Sequence, residues 1–203
     1  DRGLRAQWGI DDAGIAAIHV GRIAAEKNLP LAVRAFRALQ AIRPDAKFVW
    51  VGDGPARQQL QRDNPDFVFC GIQRGDDLAR HFASGDLFVF PSHSETFGNV
   101  TLEALASGVP TVAFDYGAAH EYLRDGVHGA AIACTDAPSR DDAGFIAAVA
   151  RIGSDDELRG AMRTACRDAV AALRPEQVAE DFDRILRSLA HHGGAHVAAA
   201  ATP

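Results

Sequence analysis

The sequence predicts an α/β fold, a doubly wound parallel sheet of about six strands with extra helices at its C-terminal end. Two observations predict it. Short apolar runs alternate with segments of helical periodicity, the pattern of βαβ units whose strands are buried on both faces. Five of the apolar runs also lead into a loop that carries glycine: GRIAAEK after the first, then GDGP, CGIQ, PSHSETFG and DYGAAHE.

Residues 15–20 (IAAIHV) are predicted as the first strand. Leu29–Ile42 is the helix after it, because Leu31, Val33, Phe36, Leu39 and Ile42 recur near helical spacing. Lys47–Val51 is the second strand. It ends in Gly52-Asp53-Gly54-Pro55, a breaker cluster that opens a helix over 56–62. Residues 67–69 form a short third strand, 76–84 a helix, and Leu87–Phe90 a fourth strand. Residues 99–107 are the next helix, stopped by Gly108. Thr111–Phe114 and Gly129–Ile132 complete the strands. Right-handed crossovers between such units give a Rossmann-like sheet, whose ligands bind at the carboxyl ends of the strands.

After residue 139 the pattern changes, and 141–152, 155–172 and 175–189 read as helices rich in Ala and Arg. The expected division is a linker over 1–14, the Rossmann-like domain over 15–174, a terminal helix over 175–190, and a disordered low-complexity tail over 191–203.

A length of 203 residues suits one domain, and 47% hydrophobic content supplies its core. The net charge of −6 argues against a nucleic-acid partner, which requires a basic face. Cys70, Cys134 and Cys166 match no metal or redox spacing; they read as free thiols of a cytoplasmic protein. No apolar run reaches the roughly 18 residues of a membrane span. The histidines of the tail have no ordered scaffold, so no metal site is expected. Neither GxGxxG nor GxxxxGK[ST] occurs, which leaves no support for a dinucleotide site or an ATPase.

The chemistry concentrates in four loops. In SETFGNVTLE, Gly98 lets backbone approach a ligand, and the amides near Phe97, Gly98, Asn99 and Val100 fall at a helix N-terminus that favours an anion. Glu95 precedes that helix and Glu103 lies inside it. Two carboxylates at different depths suit two sets of sugar hydroxyls, and serve equally as a first-turn acid and a solvated helix residue. In GRIAAEK, Arg22 and Lys27 suit a diphosphate or an ordinary solvated loop. Gly54 in GDGP, and Gly71 with Ile72 in FCGIQ, suit a wall for a base and ribose; tight turns need the same glycines. In DYGAAHE, His120 stands in a loop without a visible partner and reads as a bystander.

Together these segments resemble the C-terminal domain of the family-four, or group 1, retaining glycosyltransferases of GT-B fold. The resemblance is carried by Gly21-Arg22 with Glu26-Lys27, Gly52-Asp53-Gly54-Pro55, Phe69-x-Gly71, Pro91-Ser92, the pair Glu95 and Glu103 seven residues between, and Asp115-x-Gly117 with Glu121 and Asp125-Gly126, in the family's order. It implies that Arg22 and Lys27 bind the donor diphosphate, assisted by amides around Gly98, Asn99 and Val100. Glu103 would hold the ribose and Glu95 the sugar near its anomeric carbon. The loop over 69–73 would contact the base. It also implies no metal ion or other cofactor, because cations and amides stabilise the leaving diphosphate. Two positions depart: Asn28 stands where the family has glycine, and Gly117-Ala118-Ala119-His120-Glu121 replaces Gly-Gly-x-Pro-Glu, a change that bears on sugar preference.

The implied activity is transfer of a hexose from a UDP- or GDP-sugar to a hydroxyl acceptor in polysaccharide or glycolipid synthesis. The acceptor sugar or lipid would be held by an N-terminal domain not represented here, so this chain alone should bind donor poorly and catalyse nothing measurable. The parent would work in the cytoplasm, with peripheral contact at the inner face of the membrane. The alternatives are a nucleotide-sugar epimerase of similar fold and a non-catalytic nucleotide-sugar-binding module.

Overall fold

A parallel sheet frames the protein: β1 (Ala16–Val20), β2 (Lys47–Val51), β3 (Val68–Gly71), β4 (Leu87–Phe90), β5 (Thr111–Phe114) and β6 (Gly129–Ile132). Their spatial order is β3-β2-β1-β4-β5-β6. The structure is a computed structural model that describes residues 1–11 and 13–199. Around the sheet lie α1 (Arg2–Gln7), α2 (Leu29–Ile42), α3 (Arg57–Asp63), α4 (Gly75–Ser84), α5 (Asn99–Ala106), α6 (Ala118–Tyr122), α7 (Pro138–Ser154) and α8 (Asp156–Ala169). Every residue of β1, β4 and β5 is buried, as expected of strands covered on both faces.

Because side chains alternate along a strand, each strand feeds two apolar layers. Phe48 and Trp50 of β2 join Phe36 of α2 and Phe145 of α7 on one side. Ile18 of β1 and Phe88 of β4 join Phe82 of α4 and Leu105 of α5 on the other. Burying a side chain of this size contributes about 1.5–3 kcal/mol, so both layers are needed to hold the sheet. Asp86, just before β4, ties the second layer together: it accepts from Arg5 at 2.7 Å, from the Ala16 amide at 2.9 Å and from Arg163 at 3.2 Å.

The strands and helices fall where the periodicity puts them, with end shifts of a few residues. Three expectations are corrected. The segment 1–14, read as a linker, carries α1: Asp1 caps the helix by accepting from the Leu4 amide at 3.0 Å, and Trp8 and Ile10 are buried behind it. Six residues are too short for periodicity to reveal. The loop after β5 contains the short helix α6, which Gly117 starts. The terminal helix, α9 (Pro175–Ala199), runs on into the segment read as a disordered tail; alanine, the best helix former, is frequent there. The remainder of that predicted tail, 200–203, lies outside the described residues.

Contacts separate residues 1–170 from those from 171 onward, against a predicted domain boundary at 174. Within α9, Val178, Phe182, Ile185 and Leu189 recur at helical spacing and are exposed. Among the described residues no helix is long and apolar enough to cross a membrane.

Candidate functional site

The strand order reverses beside β1, where the chain leaves β3 and crosses to β4. Such a switch point opens a crevice between the two flanking loops. Here the loops after β1 and β4 enclose a cavity of about 500 Å³ lined by Arg22, Glu26, Lys27, Glu95 and residues 96–100. Seven predicted site residues therefore line one cavity: Arg22, Lys27, Glu95, Phe97, Gly98, Asn99 and Val100.

The β1 loop is held from below. Gly21 donates to the Val51 carbonyl at 3.0 Å and Ile23 to that of Asp53 at 2.9 Å, so the loop follows the end of β2. A single 3-10 turn at Ala25–Lys27 then ends at Asn28, whose φ of 51° and ψ of 47° are left-handed. Among the described residues Asn28 is the one non-glycine with positive φ, which explains an asparagine where the resembling family has glycine. Asn28→Val should cost roughly 1–2 kcal/mol in chemical denaturation, whereas Asn28→Gly should be near neutral.

That turn aims Lys27 across the cavity, where it forms an ion pair with Glu95. Both side chains are only 16% exposed. The ammonium also lies 5.7 Å from the centre of the Phe90 ring. Arg22 pairs with Glu26 at 3.3 Å and is 65% exposed, so its guanidinium is free to turn toward a ligand.

On the opposite wall, Gly98 has a φ of 93° and precedes α5 without any side-chain cap. The first amides of α5, at Asn99 and Val100, stay available to an anion. Loop 95–98 is clamped from the β5 side: the Ala118 amide donates to the Phe97 carbonyl at 2.6 Å. Gly117, at φ 56°, packs so close to that carbonyl that a Cβ would overlap it.

A second cavity of about 390 Å³ adjoins the first through Val20, Gly21 and Arg22 and is closed by Gly52, Asp53, Ile72, Gln73 and Leu78. Ile72 is 63% exposed and offers an apolar surface there. Gly54 and Gly71 line neither cavity. Gly54 abuts the Ile23 backbone, and the Gly71 carbonyl accepts from Gly52 at 2.8 Å, so they join neighbouring loops into the frame. Glu103 also lies outside both walls, on α5 away from buried Thr101, Ala104 and Leu105. Its carboxyl is pushed up by desolvation, and it has no hydrogen-bond or ion-pair partner among the described residues.

Glu26, Asp53 and Gln73, quoted from the sequence only as parts of loop motifs, line the two cavities. His19 had a signal: a polar residue inside an apolar strand. It is fully buried beneath Gly21, and its Nδ1–H donates to the Val89 carbonyl at 3.0 Å. Its Nε2 has no partner among the described residues. Burial lowers it from 6.5 to about 4. His120, read as a bystander, is bonded to Asp115 at 2.9 Å. The cysteines are free thiols; burial pushes Cys166 up to about 12. Among the described residues no group of His, Cys, Asp and Glu is placed to hold a metal ion.

Comparisons with known proteins fit this geometry. The family described as glycosyl transferases group 1 matches residues 15–155. A GDP-mannose-dependent alpha-mannosyltransferase of Corynebacterium glutamicum is 40% identical over 62% of this chain and 29% of its own length. An alpha-D-kanosaminyltransferase of Streptomyces kanamyceticus is 34% identical over 78% of this chain and 41% of its own. The crystal structure of the pneumococcal O-GlcNAc transferase GtfA, in complex with UDP and GlcNAc, superposes with a TM-score of 0.73 at 21% identity, covering 90% of this chain and 38% of that one. The chain thus spans less than half the length of each. None of the three is an epimerase.

Proposed function

We propose that this chain, which belongs to the group 1 glycosyltransferase family, is the donor half of an enzyme that moves a hexose from a nucleoside diphosphate sugar to a hydroxyl acceptor. The observation that carries this reading is the meeting of two cations and an uncapped helix N-terminus across one crevice at the strand switch point. A diphosphate suits that crevice. Lys27 and Arg22 neutralise it from the β1 side, and the amides of Asn99 and Val100 donate from the β4 side. The same groups stabilise the charge that develops on the leaving diphosphate, which is the main electrostatic demand of the transfer.

The cavity with exposed Ile72 suits the flat base, uracil or guanine. Glu103, unpartnered and partly desolvated, suits the ribose hydroxyls. Glu95, freed from Lys27 when the diphosphate takes that lysine, suits the sugar near its reacting carbon. The acceptor, a sugar or lipid, and any contact with the inner face of a membrane would be the work of chain outside these residues.

Glu103→Ala tests the ribose assignment. Loss of hydrogen bonds to a charged group should weaken UDP or GDP binding by about 1–3 kcal/mol, read by titration. Unchanged affinity would remove Glu103 from the site.

A further inference from the structure

We propose that His120, held by Asp115, is a specificity-determining contact for the sugar carried by the nucleotide, an inference that rests on the donor-site reading above. Along the carboxyl edge the loops follow strand order, from β3 through β2, β1 and β4 to β5. The cavity with Ile72 lies on the β2–β3 side of the cationic crevice. A nucleotide that places its base and diphosphate in these two spaces carries its sugar onward, toward β5.

The β5 loop is built against that end. Its Ala118 amide is bonded to the Phe97 carbonyl, in the loop that bears Glu95. Tyr116 and Ala119, chain neighbours of Asp115 and His120, line one small cavity together with Glu95. The loop that bears His120 is thus bonded to the loop that bears Glu95.

The pair also has a defined polarity. A carboxylate accepts and cannot donate, so the His120 ring gives its Nδ1–H to Asp115 Oδ1 at 2.9 Å. In the neutral imidazole that sets the tautomer and leaves Nε2 as an acceptor. The ring is 71% exposed, and Nε2 has no partner among the described residues. A sugar hydroxyl donates to such a nitrogen; a deoxygenated position does not.

The test measures dissociation constants by titration for UDP, UDP-glucose, GDP and GDP-mannose on the wild-type chain and three variants. His120→Ala should weaken the sugar nucleotide about five- to tenfold, one hydrogen bond, and leave the matching nucleoside diphosphate within about twofold. Asp115→Ala should weaken the sugar nucleotide in the same direction by releasing the ring. His120→Gln, which keeps an acceptor oxygen, should recover part of the loss. Equal losses for both ligands, or none for either, would overturn the inference alone. A wild-type chain that binds none of the four would overturn the donor-site reading, and the inference with it.

Discussion

Lys27→Ala should weaken nucleoside diphosphate binding by about ten- to a hundredfold, while Glu95→Gln should tighten it by a fewfold. The two signs follow from one contact. Lys27 and Glu95 are paired across the crevice and largely shielded from water. A diphosphate must take Lys27 from Glu95, so the ion pair competes with the ligand. Removing the lysine deletes charge-assisted hydrogen bonds, each about 1.5–3 kcal/mol. Neutralising the glutamate removes the competitor, and in a pair so shielded the cost of desolvating both charges offsets much of their attraction, so the gain stays at a fewfold. The nucleotide sugar should not share the gain, because its sugar loses the Glu95 carboxylate. Titration of both ligands on both variants checks this; a Glu95→Gln chain that binds the diphosphate more weakly would show that Glu95 does not hold Lys27 back.

The second large effect is on stability in acid. His19 is neutral and fully buried, and its folded-state value of about 4 lies well below the ordinary 6.5. Burial is the main cause; the Val89 carbonyl opposes it. The unfolded chain therefore binds the extra proton first as pH falls. The stabilising contribution is complete above pH 6.5 and is lost progressively from there down to about 4. At about 1.4 kcal/mol per pH unit the loss reaches roughly 3 kcal/mol. Urea denaturation across this range should show it, and His19→Phe should flatten the dependence. An equally steep fall in that variant would assign the acid sensitivity to other groups.

Much of the fold was legible because its strands are short apolar runs and its helices are amphipathic. Leu29–Ile42, Lys47–Val51, Leu87–Phe90 and Thr111–Phe114 have the ends their patterns predict. What escaped was local or long-range. The helix Arg2–Gln7 depends on a cap and on Arg5 reaching Asp86, far along the chain. The helix Ala118–Tyr122 depends on a clasp to Phe97. Of the site, the β1 and β4 loops were legible from residue type at strand ends. The Lys27–Glu95 pairing was not, because 68 positions separate the two and only the switch point brings them together. The Asp115–His120 pair was short-range and still missed, since a five-residue spacing is a contact only once the turn before α6 is known.

The most direct test of the crevice is an amide-resolved NMR titration of this chain with UDP and GDP, which registers weak binding. One of them should shift the amides of residues 21–27 and 97–100 together, and Lys27→Ala should abolish both sets. Shifts confined to other surfaces, or none with either nucleotide, would contradict a diphosphate site at the β1–β4 switch point.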